Sequence, residues 1–486
     1  MLSFFRYNAI KAKFDFETIL TNLIIKKDKF ILKRPGSIKE DYILEKELGK
    51  GAYGSVYQAK NRITKKQRAI KKIPKDKIIN VDHFLFEVEA LKTLDHPNVI
   101  KLFEIYEDES DVFLVQELWT GGELLDQIIE QKNMSETQAA IIFKQIIQAI
   151  LYCNMNKITH RDLKPENFMF SSKKENAVLK LIDFGLARTY YKAEVLEYDK
   201  VIRMNTRAGT AWFMAPEVIL NNYTHSWDMW SVGVILYIIL WGYPPFGGST
   251  DQETLENILK GEYDFDDEIW DNVSEEAKDL IEELLTSEEE RLTPKKALEH
   301  NWINKFSRLD SAILLSSKHT DRLREFQKTK KLKKAALTYL ASRLSDEDII
   351  NEMQIFFKLD KNKDGYITLK ELKEGMKETP NIEEIADILK GVDTDKNGVI
   401  NYTEFIAATL DQKSLLSSDS LIKDAFQLFD KNNDGIIDQS ELRNTLAGVE
   451  GELIDEKIWN DVLKEVDIDG DGKVSFDEFV HMMTNW

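Results

Sequence analysis

Hydrophobic and polar positions change rhythm several times along the chain, and each change predicts an element. Between Tyr42 and Val56 the sequence YILEKELGKGAYGSV sets Gly49, Gly51 and Gly54 between two strand-like runs. Ser55–Ala59 and Gln67–Ile73 read as strands, so these glycines belong to a hairpin and do not open a helix. Residues 84–94 (FLFEVEALKTL) carry helical spacing. The longest strongly apolar stretch, Val232–Trp241, is far shorter than the roughly 18 to 20 residues that cross a bilayer, and predicts a buried helix. From Lys318 to Lys334 eight basic residues face two acidic ones, and Phe326, Leu332, Ala336, Leu340 and Leu344 form a rough apolar stripe. That pattern predicts a basic amphipathic helix, with a solvated linker helix as the alternative. Near the end, Phe356, Phe357, Phe426, Phe429, Phe479, Met482 and Met483 recur at helical spacing. They either line a groove or only pack local cores.

Charge sharpens the division. The 486 residues carry a net −19, of which Ser345–Trp486 holds −18 (15 basic, 33 acidic), while the preceding 344 residues are nearly neutral. An acidic last third is a poor partner for nucleic acid. The single cysteine, Cys153, excludes an internal disulfide framework and a Cys-rich zinc site, and points to a reducing compartment. Leu2 stands where N-myristoylation requires glycine, and Lys11, Lys13 and Asp15 interrupt the apolar start. We expect a cytoplasmic chain without an anchor or transmembrane segment. The weakly basic amphipathic start leaves organelle or membrane association open.

The acidic third is repetitive. Four segments, 360–371, 393–404, 430–441 and 467–478, fit D-x-[DN]-x-[DN]-G-x5-E without a mismatch, spaced by 33, 37 and 37 residues. Average composition predicts roughly a few such matches per million positions, so chance is not an adequate account. A calcium ion takes six to eight oxygen ligands, and a 12-residue loop supplies them from positions 1, 3, 5, 7, 9 and 12. The first loop offers Asp360, Asn362, Asp364, Tyr366, Thr368 and Glu371, with Gly365 at the turn. The second offers Asp393, Asp395, Asn397, Val399, Asn401 and Glu404; the third Asp430, Asn432, Asp434, Ile436, Asp438 and Glu441. The fourth offers Asp467, Asp469, Asp471, Lys473, Ser475 and Glu478. Position 8 is apolar throughout (Ile367, Ile400, Ile437, Val474), which suits short strands coupling loops in pairs. This is the EF-hand pattern of calmodulin-like modules. Loop chemistry alone does not separate a calcium buffer from a sensor.

The neutral part carries five signatures in order. The glycine hairpin is followed by Ala69-Ile70-Lys71 on a strand, with Glu87 on the next helical stretch. Then come His160-Arg161-Asp162-Leu163-Lys164-Pro165-Glu166-Asn167, Asp183-Phe184-Gly185 and Ala215-Pro216-Glu217. In isolation Lys71 could be a solvated strand lysine, and the glycines alone are weak. Together they make residues 42–303 resemble a protein Ser/Thr kinase. The resemblance implies that Lys71, held by Glu87, grips the ATP phosphates, and that Asn167 and Asp183 hold Mg2+. It also implies that Asp162 accepts or orients the substrate hydroxyl proton and that Lys164 neutralises the transferring group. It adds Thr210 to the catalytic set, and Leu48, Gly49, Gly51, Gly54, Val56, Ala69, Gln116, Glu117 and Glu123 to the ATP site. Asp228 resembles the aspartate that braces the catalytic loop, and Arg291 the arginine that pairs with Glu217. Lys164 after Leu163 points to Ser/Thr acceptors, and Glu123 with Glu166 to basic residues beside the target.

Two departures stand out. Asp183 to Glu217 spans 35 residues, longer than in the relatives named below, so the anionic partner of Arg161 is open among phosphorylated Thr206, Glu194, Glu197 and Asp199. Gln116 occupies a position usually small or apolar.

A kinase, a basic connector and four EF-hands in one chain resemble the calcium-dependent protein kinases of plants and protists. The implied architecture is α+β and multidomain: an extension (1–41), a bilobal kinase fold (42–303), an autoinhibitory junction (304–345) and an all-α calmodulin-like module (346–486). The implied activity is calcium-activated transfer of the ATP γ-phosphate to Ser/Thr of protein substrates by a monomer using ATP, Mg2+ and Ca2+ at four sites. In that family the junction restrains the kinase at low calcium and the calcium-loaded module repositions it. Two alternatives remain: a calcium-dependent scaffold with weak chemistry, and a constitutive kinase with a buffering tail.

Overall fold

The computed structural model describes residues 25, 27–51, 54–78, 80–131, 134–174, 177–189, 211–220, 224–307, 315–376, 381–412, 416, 419–446 and 456–484. Thr210, Thr206, Glu194, Glu197 and Asp199 lie outside the described residues, as do the first 24.

Six strands form the first layer: β1 (Leu32–Pro35), β2 (Tyr42–Lys50), β3 (Ser55–Asn61), β4 (Gln67–Pro74), β5 (Leu102–Glu107) and β6 (Asp111–Gln116). Their order is β1-β5-β6-β4-β3-β2, antiparallel throughout except that β1 runs parallel to β5. Helix α1 (Val81–Thr93) follows β4, on the stretch whose spacing predicted it.

The second lobe is helical. Helix α2 (Glu136–Met155) starts at a capping box in which Ser135 and Gln138 each satisfy the other's backbone N–H. Cys153 is fully buried in it, and burial pushes its thiol well above the ordinary range. The apolar run Val232–Trp241 lies in α3 (Trp227–Trp241), whose residues 232–240 are all buried. A helix apolar on every face has to be surrounded by protein. Here Ile146 and Ile147 of α2, Val234 and Ile235 of α3, Leu280 and the sheet residue Leu114 share one core. Helix α3 stops at Gly242, which takes φ +93° and returns its N–H to the Ile238 carbonyl at 2.7 Å.

The connector differs from the single helix expected. It forms α4 (Ser317–Lys328) and α5 (Lys331–Arg343), separated by extended backbone at Thr329 and Lys330. The stripe itself contains the reason: Leu332, Ala336, Leu340 and Leu344 step by four, but Phe326 to Leu332 is a step of six. In one continuous helix that step would turn Phe326 about 120° off the seam. Breaking the helix returns Phe326 to the common core, and all five stripe residues are buried.

Four helix pairs follow: Ile350–Leu359 with Leu369–Gly375, Ile382–Val392 with Tyr402–Thr409, Asp419–Phe429 with Gln439–Leu446, and Glu456–Lys464 with Phe476–Thr484. The apolar eighth positions pair as expected. Ile367 and Ile400 exchange N–H···O bonds of 3.0 and 2.9 Å, and Ile437 pairs with Val474. The question of groove or core resolves into both, because Phe356, Phe426, Phe429, Phe479 and Met483 share one cluster with the connector stripe. Helix α5 packs on Tyr402–Thr409 and on Asp419–Phe429, one helix from each half of the module. Each buried Leu or Phe on that seam stabilises the enclosure by about 1.5–3 kcal/mol relative to exposure.

Candidate active site and calcium centres

The cleft begins at the glycine hairpin. Gly49 pairs with Val56 across β2 and β3, and the Gly51 N–H closes the turn on the Gly54 carbonyl at 2.8 Å. The glycines serve different ends. Space around Gly49 and Gly51 is open, whereas a Cβ on Gly54 would lie 1.9 Å from the Lys72 carbonyl oxygen, so Gly54 lets β3 lie against β4. Leu48 is exposed on β2, and Ala69 is buried opposite Gln116, itself buried at the end of β6.

Strand β4 and helix α1 bring Lys71 to Glu87: Nζ lies 2.8 Å from Glu87 Oε1 and 3.1 Å from Asp183 Oδ1. Burial opposes the ammonium charge, but Asp183 and Glu87 outweigh it and hold Lys71 above its ordinary range. Burial likewise opposes ionisation of Asp183, and Lys71 keeps it below the usual carboxylate range.

The catalytic-loop residues form a second knot. Lys164 Nζ is 2.9 Å from Asp162 Oδ2, and Asn167 Nδ2 donates to the Asp162 carbonyl at 2.6 Å and to Oδ2 at 3.2 Å. Arg161 holds φ +73°, a conformation that costs a side-chain-bearing residue energy. Asp228 on α3 holds that bend by accepting from the N–H of His160 (2.7 Å) and of Arg161 (3.0 Å), and its burial pushes its carboxyl up to about 6. Arg291 grips Glu217 through both guanidinium nitrogens, with Nη2 to Oε2 at 3.1 Å. The Arg161 guanidinium lies over the Trp227 ring, and its buried Nε has no partner among the described residues.

Glu117 behaves unlike its neighbours. Its carboxylate accepts from Lys180 Nζ at 2.8 Å and its N–H donates to the Lys101 carbonyl at 3.1 Å, which leaves its backbone carbonyl for an adenine ring. Glu123 lies close to Asp126 and Glu166; burial first, then these two charges, raise its pKa.

All four calcium loops share one internal bonding scheme. The position-12 carboxylates accept from backbone N–H groups at position 2: Glu371 from Lys361 (2.9 Å), Glu404 from Thr394 (2.7 Å), Glu441 from Lys431 (3.0 Å) and Glu478 from Ile468 (2.7 Å). The position-1 aspartates accept from the position-6 glycines, which all sit between φ +83° and +89°. Three loops draw carboxylate oxygens within 4.8 Å of one another: Asp393, Asp395 and Glu404; Asp430, Asp434 and Glu441; Asp467, Asp469 and Asp471. Such crowding of hard oxygen donors fits a divalent cation of calcium's size. In the first loop Lys363 Nζ bonds the Asp360 carbonyl.

A docking face that sequence reasoning did not find joins module to kinase. Tyr366, at position 7 of the first loop, sets its ring 5.4 Å from that of Tyr152, tilted by 40°, and its hydroxyl accepts from Asn156 Nδ2 at 3.1 Å. A Cβ on Gly365 would lie 2.5 Å from Tyr152, which fixes how closely the loop approaches α2. Thr403 bonds Asp95 through both N–H and hydroxyl. The C-terminal end of α5 meets three cations: Arg68 donates to the Arg343 carbonyl (3.1 Å), Lys101 to that of Leu344 (3.5 Å), and Lys180 pairs with Asp346 (3.4 Å). Cations at a helix C-terminus are favoured by its dipole. The available signal was Lys180 and Lys101, each a charge set within an apolar run, since a buried lysine requires partners.

Among the described residues no helix is long and apolar enough to cross a membrane. Residues 42–303 match the protein kinase domain model, and 352–410 and 419–484 match the EF-hand domain pair. The chain is 41% identical over 463 residues to calcium-dependent protein kinase 3 of Plasmodium berghei, covering 93% of this chain and 82% of the relative. It is 39% identical to calcium-dependent protein kinase 5 of Plasmodium falciparum (94% and 80% covered) and 39% identical to calcium-dependent protein kinase 4 of that organism (96% and 90%). With its catalytic fold, its EF-hands and these relatives, the chain belongs to the calcium-dependent protein kinases, serine/threonine kinases that use ATP and Mg2+ and bind calcium.

Proposed function

We propose that calcium switches this chain between a restrained state and the docked arrangement described above, with 42–303 as catalytic domain, 304–345 as junction and 346–486 as calcium module. Lys71, oriented by Glu87, binds the α- and β-phosphates. Asn167 and Asp183 hold magnesium, which when bound neutralises phosphate charge and fixes its orientation. Asp162 takes or orients the proton of the substrate hydroxyl, and Lys164 stabilises the charge that builds on the transferring group. Acidic Glu123, Asp126 and Glu166 favour substrates with basic residues near the target. Asp360, Asp393, Asp430 and Asp467, with their loop partners, bind calcium.

The observation that carries this reading is the buried polar contact between the first pair of EF-hands and the loop following α1, the helix that bears Glu87. A tail that only buffered calcium would have no use for it. Moving such a switch from mostly off to mostly on takes about 5 kcal/mol of differential affinity, which four calcium sites can supply. The test is a calcium titration of phosphotransfer from Mg-ATP to a basic peptide by the full chain. The rate is expected to rise steeply from chelator to saturating calcium; equal rates in both would overturn the reading. Deleting residues after Phe306 is expected to give calcium-independent activity below the calcium-saturated level of the full chain.

A further inference from the structure

Ahead of the catalytic domain, residues 25 and 27–35 touch the sheet lobe of the kinase, the connector helix α5 and the calcium module. The Ile25 N–H donates to the Thr394 carbonyl in the second calcium loop at 2.9 Å. Lys27 Nζ donates to the Leu94 carbonyl at 2.6 Å and to Asp95 Oδ1 at 3.0 Å, in the loop following α1. The Phe30 ring meets Tyr339 of α5 edge-on at 5.8 Å. Strand β1 then extends the kinase sheet beside β5, where Arg34 Nε bonds Glu104 Oε1 at 3.2 Å; Arg343 of α5 approaches that same oxygen at 3.6 Å.

The apolar residues divide accordingly. Ile25 and Phe30 are buried in the module's core, and Ile31 in the kinase core. A segment that puts side chains into both cores gains its burial only while the two are together. Asp95 is the shared point: a buried carboxylate that takes Lys27 from this segment and Thr403 from the module. It immediately follows the turn that ends α1.

We infer that residues 25–35 are a strap that fastens the calcium module onto the kinase, and that Asp95 is a positioning residue through which strap and module together hold α1, and so Glu87, against Lys71. This rests on the calcium-activated reading above. Because the contacts of Ile25 with Thr394 and of Phe30 with Tyr339 form only in the docked state, they raise the apparent calcium affinity of the full chain, and calcium in turn strengthens them.

The test uses the full chain with Lys27→Met, Lys27→Arg and Phe30→Ala. Lys27→Met and Phe30→Ala are expected to raise the calcium concentration for half-maximal phosphotransfer about threefold to tenfold, by loss of a charge-assisted bond or of buried area. The rate at saturating calcium should stay within about twofold of the parent, because calcium in excess restores docking, and Lys27→Arg should recover most of the shift. Amide hydrogen exchange supplies a readout independent of activity: in calcium, residues 25–35 and 94–96 should be protected in the parent and lose protection in Phe30→Ala. An unchanged calcium midpoint together with unchanged exchange at 94–96 in both loss variants, each still cooperatively folded, would overturn the strap. A parent enzyme indifferent to calcium, yet protected at 25–35 only in calcium, would overturn the activation reading and leave the strap standing.

Discussion

Thr403 gives both its donors to Asp95, its N–H to Oδ2 at 2.9 Å and its hydroxyl to Oδ1 at 2.7 Å, although the two residues lie 308 positions apart. Both are buried, so neither can exchange the bond for water. Thr403→Val keeps the shape and the backbone bond but deletes the hydroxyl. We expect docking to weaken by about 1–3 kcal/mol, seen as a higher calcium requirement for phosphotransfer with little change of thermal unfolding in chelator. An unaltered calcium requirement would show that this contact does not take part in switching.

Asp162→Asn leaves the hydrogen bonds from Asn167 a similar acceptor but removes the carboxylate charge. It is expected to lower kcat by about two to four orders of magnitude. Calorimetric calcium binding should be unaffected, since the partners of the Asp162 carboxylate among the described residues, Lys164 and Asn167, belong to the catalytic loop. A kcat within tenfold of the parent would assign the proton to another group.

Acid should destabilise the kinase through its buried histidines, offset in part by Asp228, whose carboxyl is raised to about 6 and takes up its proton in the folded state. Burial holds the imidazole of His96 down at about 3 and that of His160 at about 4. Unfolded histidines take up protons near 6.5, so below that pH the unfolded state binds more protons and stability falls with falling pH. Each contributes about 2 kcal/mol of loss between pH 7 and pH 5. Asp95 has the same sign in a lower window: Lys27 and Thr403 overcome its burial and keep it below the usual carboxylate range, so its contribution persists between pH 7 and pH 5 and is lost only in stronger acid. Denaturant unfolding at the two pH values, with and without His96→Gln, measures this, and the variant should lose about 2 kcal/mol less than the parent between them.

The four calcium loops should not be equivalent. The first is packed on Tyr152 and His96, whereas Asp469 and Asp471 of the fourth are exposed. Glu371→Gln is therefore expected to raise the calcium midpoint of activity about tenfold, and Glu478→Gln by clearly less, because the first loop, unlike the fourth, packs directly on the kinase. The reverse ranking, measured by phosphotransfer against buffered calcium, would place the coupling in the other half of the module.

What was legible in the sequence is what chemistry ties to residue type at short spacing. Asp360 and Glu371 must be eleven positions apart for one ion to use both, and Asp162 must precede Asn167 by five for the loop to close on itself. The break at Thr329 was present as the step of six in the stripe, though composition made the connector look continuous. Asp95, Thr403 and Lys27 could not be read in this way. Their residue types are ordinary, their neighbours in sequence say nothing of partners hundreds of positions away, and only the folded packing of two domains brings them together. Glu117 shows a third limit: its position suggests the nucleotide, while its side chain is committed to Lys180.

Cys153 lies sealed within α2, its sulfur shielded and its thiol held in the unreactive protonated form. The native chain is thus a blank background for thiol chemistry. New cysteines at exposed sites, such as Ile129 on the catalytic domain and Ile382 on the module, would be the only ones to take up dye. A pair of fluorophores there could follow the separation of the two bodies in real time, with no native cysteine to mutate first.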